Sequence, residues 1–350
     1  MTSSKDMQPF PYPFFPKVWF TNQFCAKPKW PPQTIDLSNK VVVITGGNTG
    51  LGLESARQFL SFRPRHLIIT ARSVQKGETA MAKLRDQYIN TTIEVWLLDM
   101  CSYDSIRAFA KRLEMELSRL DIVVLNAGVQ KVQFDTVPST GHEETIQVNY
   151  FSTVLLSILL LPILKSKSPA DSPGRLSIVN AALSLQAKLP VGDGSPYLKS
   201  FDDPERFSPQ NQYPSSKALA HLFLYKLVDY VSADDVIVNL VDPGLVKGTE
   251  MSRNISGIIA VFVAGFKAVT ARALDVGACT YLDASIVKGK ESHGSFIMSW
   301  QITPFNNILY TPEGKLLVEK VWKETMDELA FADIQEILVF MGSNNASVIL

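Results

Sequence analysis

The chain has 350 residues, more than the roughly 100–200 of a common domain but within reach of one α/β domain of about 250 residues with extensions. Lys plus Arg and Asp plus Glu each number 34, so the formal net charge is zero, which excludes the basic footprint of a nucleic-acid or anionic-membrane binder. With 46% hydrophobic and 19% charged residues wholesale disorder is excluded as well, and Cys25, Cys101 and Cys279 are too few and too scattered for a disulfide framework.

Residues 1–38 form an arm rich in proline and aromatics with neither strand nor helix periodicity, expected to pack on the body through Phe and Trp and to cover an edge. Pro9, Pro11, Pro13 and Pro16 break every apolar run in it, so it reads neither as a signal peptide nor as a transit peptide, and a cytoplasmic location is expected. From Lys40 the pattern becomes short apolar runs at 41–45, 66–70, 93–98, 121–126, 175–180, 236–241 and 294–299, alternating with helical stretches at 51–62, 73–88, 102–120, 143–164 and 213–231. Strands alternating with helices require right-handed crossovers, so a doubly wound (Rossmann) α/β fold with a parallel seven-stranded sheet is expected over residues 39–310. Within it, residues 184–212 read as a long loop and 252–270 as an apolar lid or, equally, a core helix. Residues 311–350 read as a C-terminal helical extension over 311–340, with Pro312 near its start, packed on the sheet edge. The apolar stretches Val154–Leu164 and Ile255–Phe266 are shorter than the roughly 18–20 residues that span a bilayer, so no membrane span is expected. The four histidines show no paired-ligand spacing, and no metal is assigned.

The first strand runs into Thr45-Gly46-Gly47-Asn48-Thr49-Gly50-Leu51-Gly52 and then a helix, the context that a dinucleotide-binding turn requires. Gly46 suits the tight turn, Gly50 the approach of backbone N–H groups to a pyrophosphate, and Gly52 close helix packing, with the helix N-terminus stabilising the anion. The second strand ends at Arg72 and offers no carboxylate for a ribose 2′-hydroxyl. A cationic fork suits a 2′-phosphate, which favours NADP over NAD.

Tyr213 and Lys217 stand four apart on a helical stretch, on one face. A phenol with a pKa of about 10 exchanges protons with a carbonyl oxygen only if brought toward neutrality, and a neighbouring ammonium does that. In order and spacing, residues 40–245 resemble the short-chain dehydrogenase/reductase family, within it most closely the fungal secondary-metabolism reductases. The resemblance implies a cofactor loop at Gly46, Asn48, Gly50, Leu51 and Gly52, an adenine contact at Asp99, and a strand-closing motif at Asn126-Ala127-Gly128. It also implies a relay asparagine at Asn149, an acid/base at Tyr213 supported by Lys217, and nicotinamide contacts at Val246 and Thr249.

One position departs from the family pattern. Where the family has a serine after the fifth strand to hydrogen-bond the substrate carbonyl, this chain has Ala181, preceded by Asn180 and followed three residues on by Ser184. Losing one positioned donor to an oxyanion costs on the order of 10²–10³ in rate, unless Asn180, Ser184 or water substitutes in part. Two readings follow. The first is an NADPH-dependent oxidoreductase acting on a ketone or aldehyde, or the matching alcohol, of a hydrophobic small molecule from secondary metabolism. The second is an NADP-binding protein with little redox activity that holds or cyclises a reactive intermediate. The sequence leaves the oligomeric state open.

Overall fold

The computed structural model describes residues 3–169, 171–190, 196–248, 265 and 269–343. Its centre is one sheet in the order β3-β2-β1-β4-β5-β6-β7-β8, made of β1 (Val41–Ile44), β2 (His66–Ala71), β3 (Thr92–Leu97), β4 (Ile122–Leu125), β5 (Gly174–Val179), β6 (Val236–Asp242), β7 (Ser295–Met298) and β8 (Gln301–Thr303). Seven strands are parallel, as the alternating pattern requires. The eighth, not expected from the sequence, is a three-residue antiparallel return from β7, too short to leave a period-2 signature.

The strands are continuous apolar runs because both faces of the sheet are covered. Val41, Val43, Val123, Leu125, Leu176 and Ile178 point to one core, while Val42, Ile44, Leu67, Ile69 and Val124 point to the other. Over the second core lie α1 (Gly50–Ser61) and α2 (Val74–Gln87), joined by α6 (Leu274–Leu282), which packs along α1. Over the first lie α3 (Tyr103–Glu116), α4 (Glu144–Lys167) and α5 (Pro209–Leu227). Helix α4 passes through a π-turn at Gln147–Ser152. It is long and apolar enough to cross a membrane, longer than the 154–164 run suggested, yet 89% of its apolar window is buried inside the protein, as in a core helix.

Three expectations about the periphery are corrected. Tyr213 does not open its helix: α5 begins at Pro209, with proline in the first turn where its missing N–H costs nothing. The C-terminal extension is two helices, α7 (Pro312–Glu328) and α8 (Ile334–Gly342), broken at Asp333 in the left-handed region. They pack on α5 and α4 as a second helical layer and not on the sheet edge, because buried Leu317, Val318, Val321 and Leu338 give them an apolar face to cover. The arm, finally, is held less by its aromatics than expected. Phe14 and Val18 are buried, but Phe15, Phe20, Phe24 and Trp30 are exposed. Phe10 and Trp19 also pack against the core, and polar groups add to the anchoring: Ser4 Oγ donates to Thr303 O and accepts from Phe296 N, tying the arm to the β7–β8 hairpin.

The outer layer is also tied electrostatically. His142, in the loop before α4, lies 2.8 Å from Asp202 and 3.2 Å from Glu328 at the end of α7, stacked on Phe151. Burial opposes its charge, but the hydrogen bond to Asp202 and the pairing with Glu328 outweigh it and raise its pKa to about 9.

Candidate active site

The turn after β1 is shaped by contacts that a side chain would destroy. Gly46 has φ +64°, and a Cβ on Gly52 would stand 2.3 Å from Gly46 O; the loop therefore closes on the start of α1 only with glycine there. Asn126, at the end of β4, donates through Nδ2 to Thr45 O and Gly46 O, and its Oδ1 accepts from the Tyr281 hydroxyl of α6. Its side chain thus fastens the glycine turn to β4 and α6 and is fully engaged. Leu51 and Val246 meet against Gly277 of α6, so the turn after β1 and the loop after β6 share one wall. Thr249 lies outside the described residues, as does most of 252–270.

Arg72 at the end of β2 is exposed and forms no ion pair among the described residues. Asp99 uses Oδ1 to accept from Cys101 N at 3.0 Å, which fixes the turn after β3. A glycine cradle at a helix N-terminus, a guanidinium outside any ion pair at the next strand end and a carboxylate beyond it fit a dinucleotide carrying an extra phosphate. The residues present therefore suit the cofactor that the motifs imply.

Tyr213 and Lys217 are one turn apart on α5 and are 6% and 7% exposed. Lys217 Nζ donates to Val179 O at the end of β5 and stands 5.9 Å from the centre of the Tyr213 ring. Burial lowers the Lys217 pKa to about 8. Burial raises that of Tyr213, and the Asp242 carboxylate adds to the rise. Asn149 sits in the π-turn of α4, where Oδ1 accepts from Val129 N and Nδ2 donates to Val129 O and to Ser216 Oγ. A Cβ on Gly128 would lie 3.1 Å from Asn149 Oδ1 and 3.6 Å from Lys217 Nζ, so strand end, π-turn and α5 converge at one point.

No hydroxyl stands at the position after β5 where the chain departs from the family pattern. Asn180 donates through Nδ2 to Lys217 O and accepts at Oδ1 from Ala181 N, so both ends of its amide are engaged. Ser184 is fully buried with Oγ 3.0 Å from His221 Nε2. His221 Nδ1 accepts from Asn306 N, and burial lowers the ring's pKa to about 3; the ring is neutral, with its proton on Nε2 directed at Ser184. Neither residue is placed to substitute for a serine at 181.

Several residues at this end of the sheet carry no signal in the sequence. Asn22 and Gln23 of the arm, with Arg272 before α6, are buried around the loop after β6, and Tyr281 lies close enough to Tyr213 for the two phenols to perturb one another. A lone Arg or an Asn-Gln pair in a proline-rich arm has no periodicity or motif to mark it.

With this geometry in view, the chain's relatives are informative. Residues 40–200 match the family model of short chain dehydrogenases. The short chain dehydrogenase/reductase mfmJ of Annulohypoxylon moriforme is 58% identical over 98% of this chain and all of its own length. The short chain dehydrogenase virL of Hypocrea virens is 44% identical over 89% of this chain and 92% of its own. The chain belongs to the short-chain dehydrogenase/reductase family. It is accordingly an oxidoreductase that works with a nicotinamide cofactor. Among solved structures, the fold resembles the Pseudomonas aeruginosa RhlG/NADP active-site complex at 22% identity with a TM-score of 0.57, covering 79% of this chain and 98% of that one. Salutaridine reductase from Papaver somniferum is similar at 21% identity and a TM-score of 0.56, covering 74% and 99%.

Proposed function

We propose that this family member uses NADPH to reduce a ketone or aldehyde on a hydrophobic small molecule, an intermediate of fungal secondary metabolism. The observation that carries this reading is the buried Tyr213–Lys217 pair tied to the end of β5, together with a glycine turn at a helix N-terminus, which suits a phosphate. NADPH, when bound, supplies the hydride to the carbonyl carbon. Gly46, Asn48, Gly50, Leu51 and Gly52 hold its pyrophosphate, Arg72 its 2′-phosphate and Asp99 its adenine, while Asn126 keeps the turn in register. That RhlG was solved with NADP and that strong relatives are fungal support the cofactor and the setting.

Tyr213 delivers the proton to the carbonyl oxygen. Burial and Asp242 keep the phenol protonated and so present as a donor, the opposite direction from the lowering that the sequence predicts from Lys217. Lys217, held by Val179 O, stabilises the phenolate left behind until Tyr213 takes up a proton from the cleft. Asn149 supports this pair through Ser216 and fixes the backbone at Val129. Val246, and Thr249 beyond the described residues, contact the nicotinamide half.

The commitment of Asn180 and Ser184 to other partners favours a second reading, a cofactor-binding protein with little redox activity that holds or cyclises its ligand. The two separate on one assay. NADPH oxidation followed by absorbance against hydrophobic ketones and aldehydes is expected to show turnover that falls by roughly 10²–10⁴-fold in Tyr213→Phe. Equal inertness of both proteins, with NADPH still bound, overturns the reductase reading in favour of the second.

A further inference from the structure

Asn22 and Gln23 are polar, 4% and 7% exposed, and belong to the arm, whose 14–18 segment also packs against residues 182–186 after β5. All of their described partners lie at one place. Gln23 Nε2 donates to Leu245 O and to Thr270 O, both at 2.8 Å, and Oε1 accepts from Leu245 N at 3.0 Å. Leu245 and Thr270 are on opposite sides of a narrow neck, where the chain leaving β6 runs beside the chain returning to α6: Arg272 N donates to Leu245 O and Lys247 N to Arg272 O. One amide side chain therefore bridges the two sides.

Asn22 completes the arrangement. Its Nδ2 donates to Asp242 Oδ2 at 3.1 Å, while its O and Oδ1 accept from the Arg272 guanidinium and from Ser299 Oγ. Arg272 also donates to Pro243 O and fills the space beside Gly244, where a Cβ would lie 2.8 Å from Nη1 and where φ is +77°. Burying a guanidinium costs free energy unless its donors are met; here they are met by the arm and by the loop together. Asp242 in turn accepts at Oδ1 from Ala182 N, next to the serine-less position. The arm thus reaches the end of β6 and, through Asp242, the residues after β5.

We propose that Asn22 and Gln23 are positioning residues for the nicotinamide half of the cofactor: by clamping Asp242–Lys247 they set where Val246 stands against Leu51 and Gly277. The proposal rests on the reading of Gly46–Gly52 and Val246 as a cofactor cradle. Removing the Gln23 amide takes that partner from half-buried backbone groups of Leu245 and Thr270, a loss borne by the loop and not by the glycine turn.

Two ligands distinguish this role from general stability. NADPH spans both halves of the site, whereas adenosine bisphosphate with its 2′-phosphate occupies only the half built by Arg72 and Asp99. In calorimetric titrations of the full chain, Gln23→Met and Asn22→Ala are expected to raise the dissociation constant for NADPH by about tenfold and leave that of the fragment unchanged. Lys5→Ala, which removes the arm's contacts with Asp229 and Tyr225, is expected to change neither. Unchanged NADPH binding in both clamp variants overturns the proposal. Parallel weakening of both ligands, or failure of both variants to fold, also overturns it by assigning the arm to the stability of the whole domain. Absence of binding of either ligand to the unaltered chain removes the cofactor reading itself, and the proposal with it, a result distinct from the other three.

Discussion

The half of the site built on β1–β4 and the half built on the ends of β5 and β6 are made in different ways. In the first, the turn and the helix it starts are contiguous in sequence, and neighbouring strand ends fasten the turn: Asn126 donates to Thr45 O and Gly46 O, and Thr45 Oγ1 accepts from Ala127 N. In the second, Tyr213 and Lys217 are local to α5, but the loop facing them is held by Gln23, Asn22 and Arg272, some 220 to 250 residues apart in the chain. The lesson is that a phosphate cradle is specified by backbone conformation, which a short motif can encode. A substrate-side wall is specified by side chains meeting across the fold.

The sharpest way to break the cofactor half is Gly52→Ala. With a Cβ 2.3 Å from Gly46 O, relieving the clash means shifting the turn at a cost of about 1–3 kcal/mol, and NADPH affinity measured by fluorescence titration is expected to fall by up to roughly 100-fold. Arg72→Ala should cost about tenfold in NADPH affinity and little in NADH affinity, since a charge-assisted contact to the 2′-phosphate is worth about 1.5–3 kcal/mol; equal effects on both cofactors would sink the NADP assignment.

On the other half, Ala181→Ser restores a hydroxyl that neither Asn180 nor Ser184 is placed to supply, and carbonyl reduction is expected to rise by about tenfold or more. An unchanged rate would mean that another donor already serves the oxyanion. The smallest effect belongs to the outer layer that backs this half. Despite burial, Asp202 and Glu328 raise the pKa of His142 to about 9, against an unfolded value of about 6.5. The folded chain therefore holds the extra proton between those values, and the stabilisation, complete below about pH 6.5, is lost as pH rises toward 9. In His142→Gln this pH dependence should disappear from thermal melts, with the midpoint at pH 6 lower by a few degrees.

Much of this molecule is legible in its sequence alone. Seven strands, the order of helices between them, the glycine turn and the spacing of Tyr213 and Lys217 are each encoded within about ten residues, by apolar periodicity, by glycine placement or by helical spacing, whereas the role given to Asp99 comes from the family resemblance. The missing hydroxyl at Ala181 is legible too, once the family resemblance says where a serine stands. What the tertiary structure decides are the matters that depend on which distant atoms meet. Ser184 is taken by His221, and Asn126 acts as a fastener of the turn. The C-terminal helices cover α4 and α5, and two amides of a proline-rich arm reach the loop after β6. The physical reason is range: backbone conformation and amphipathic faces follow from neighbours in the chain, whereas a buried hydrogen bond is settled only when the whole core has closed around it.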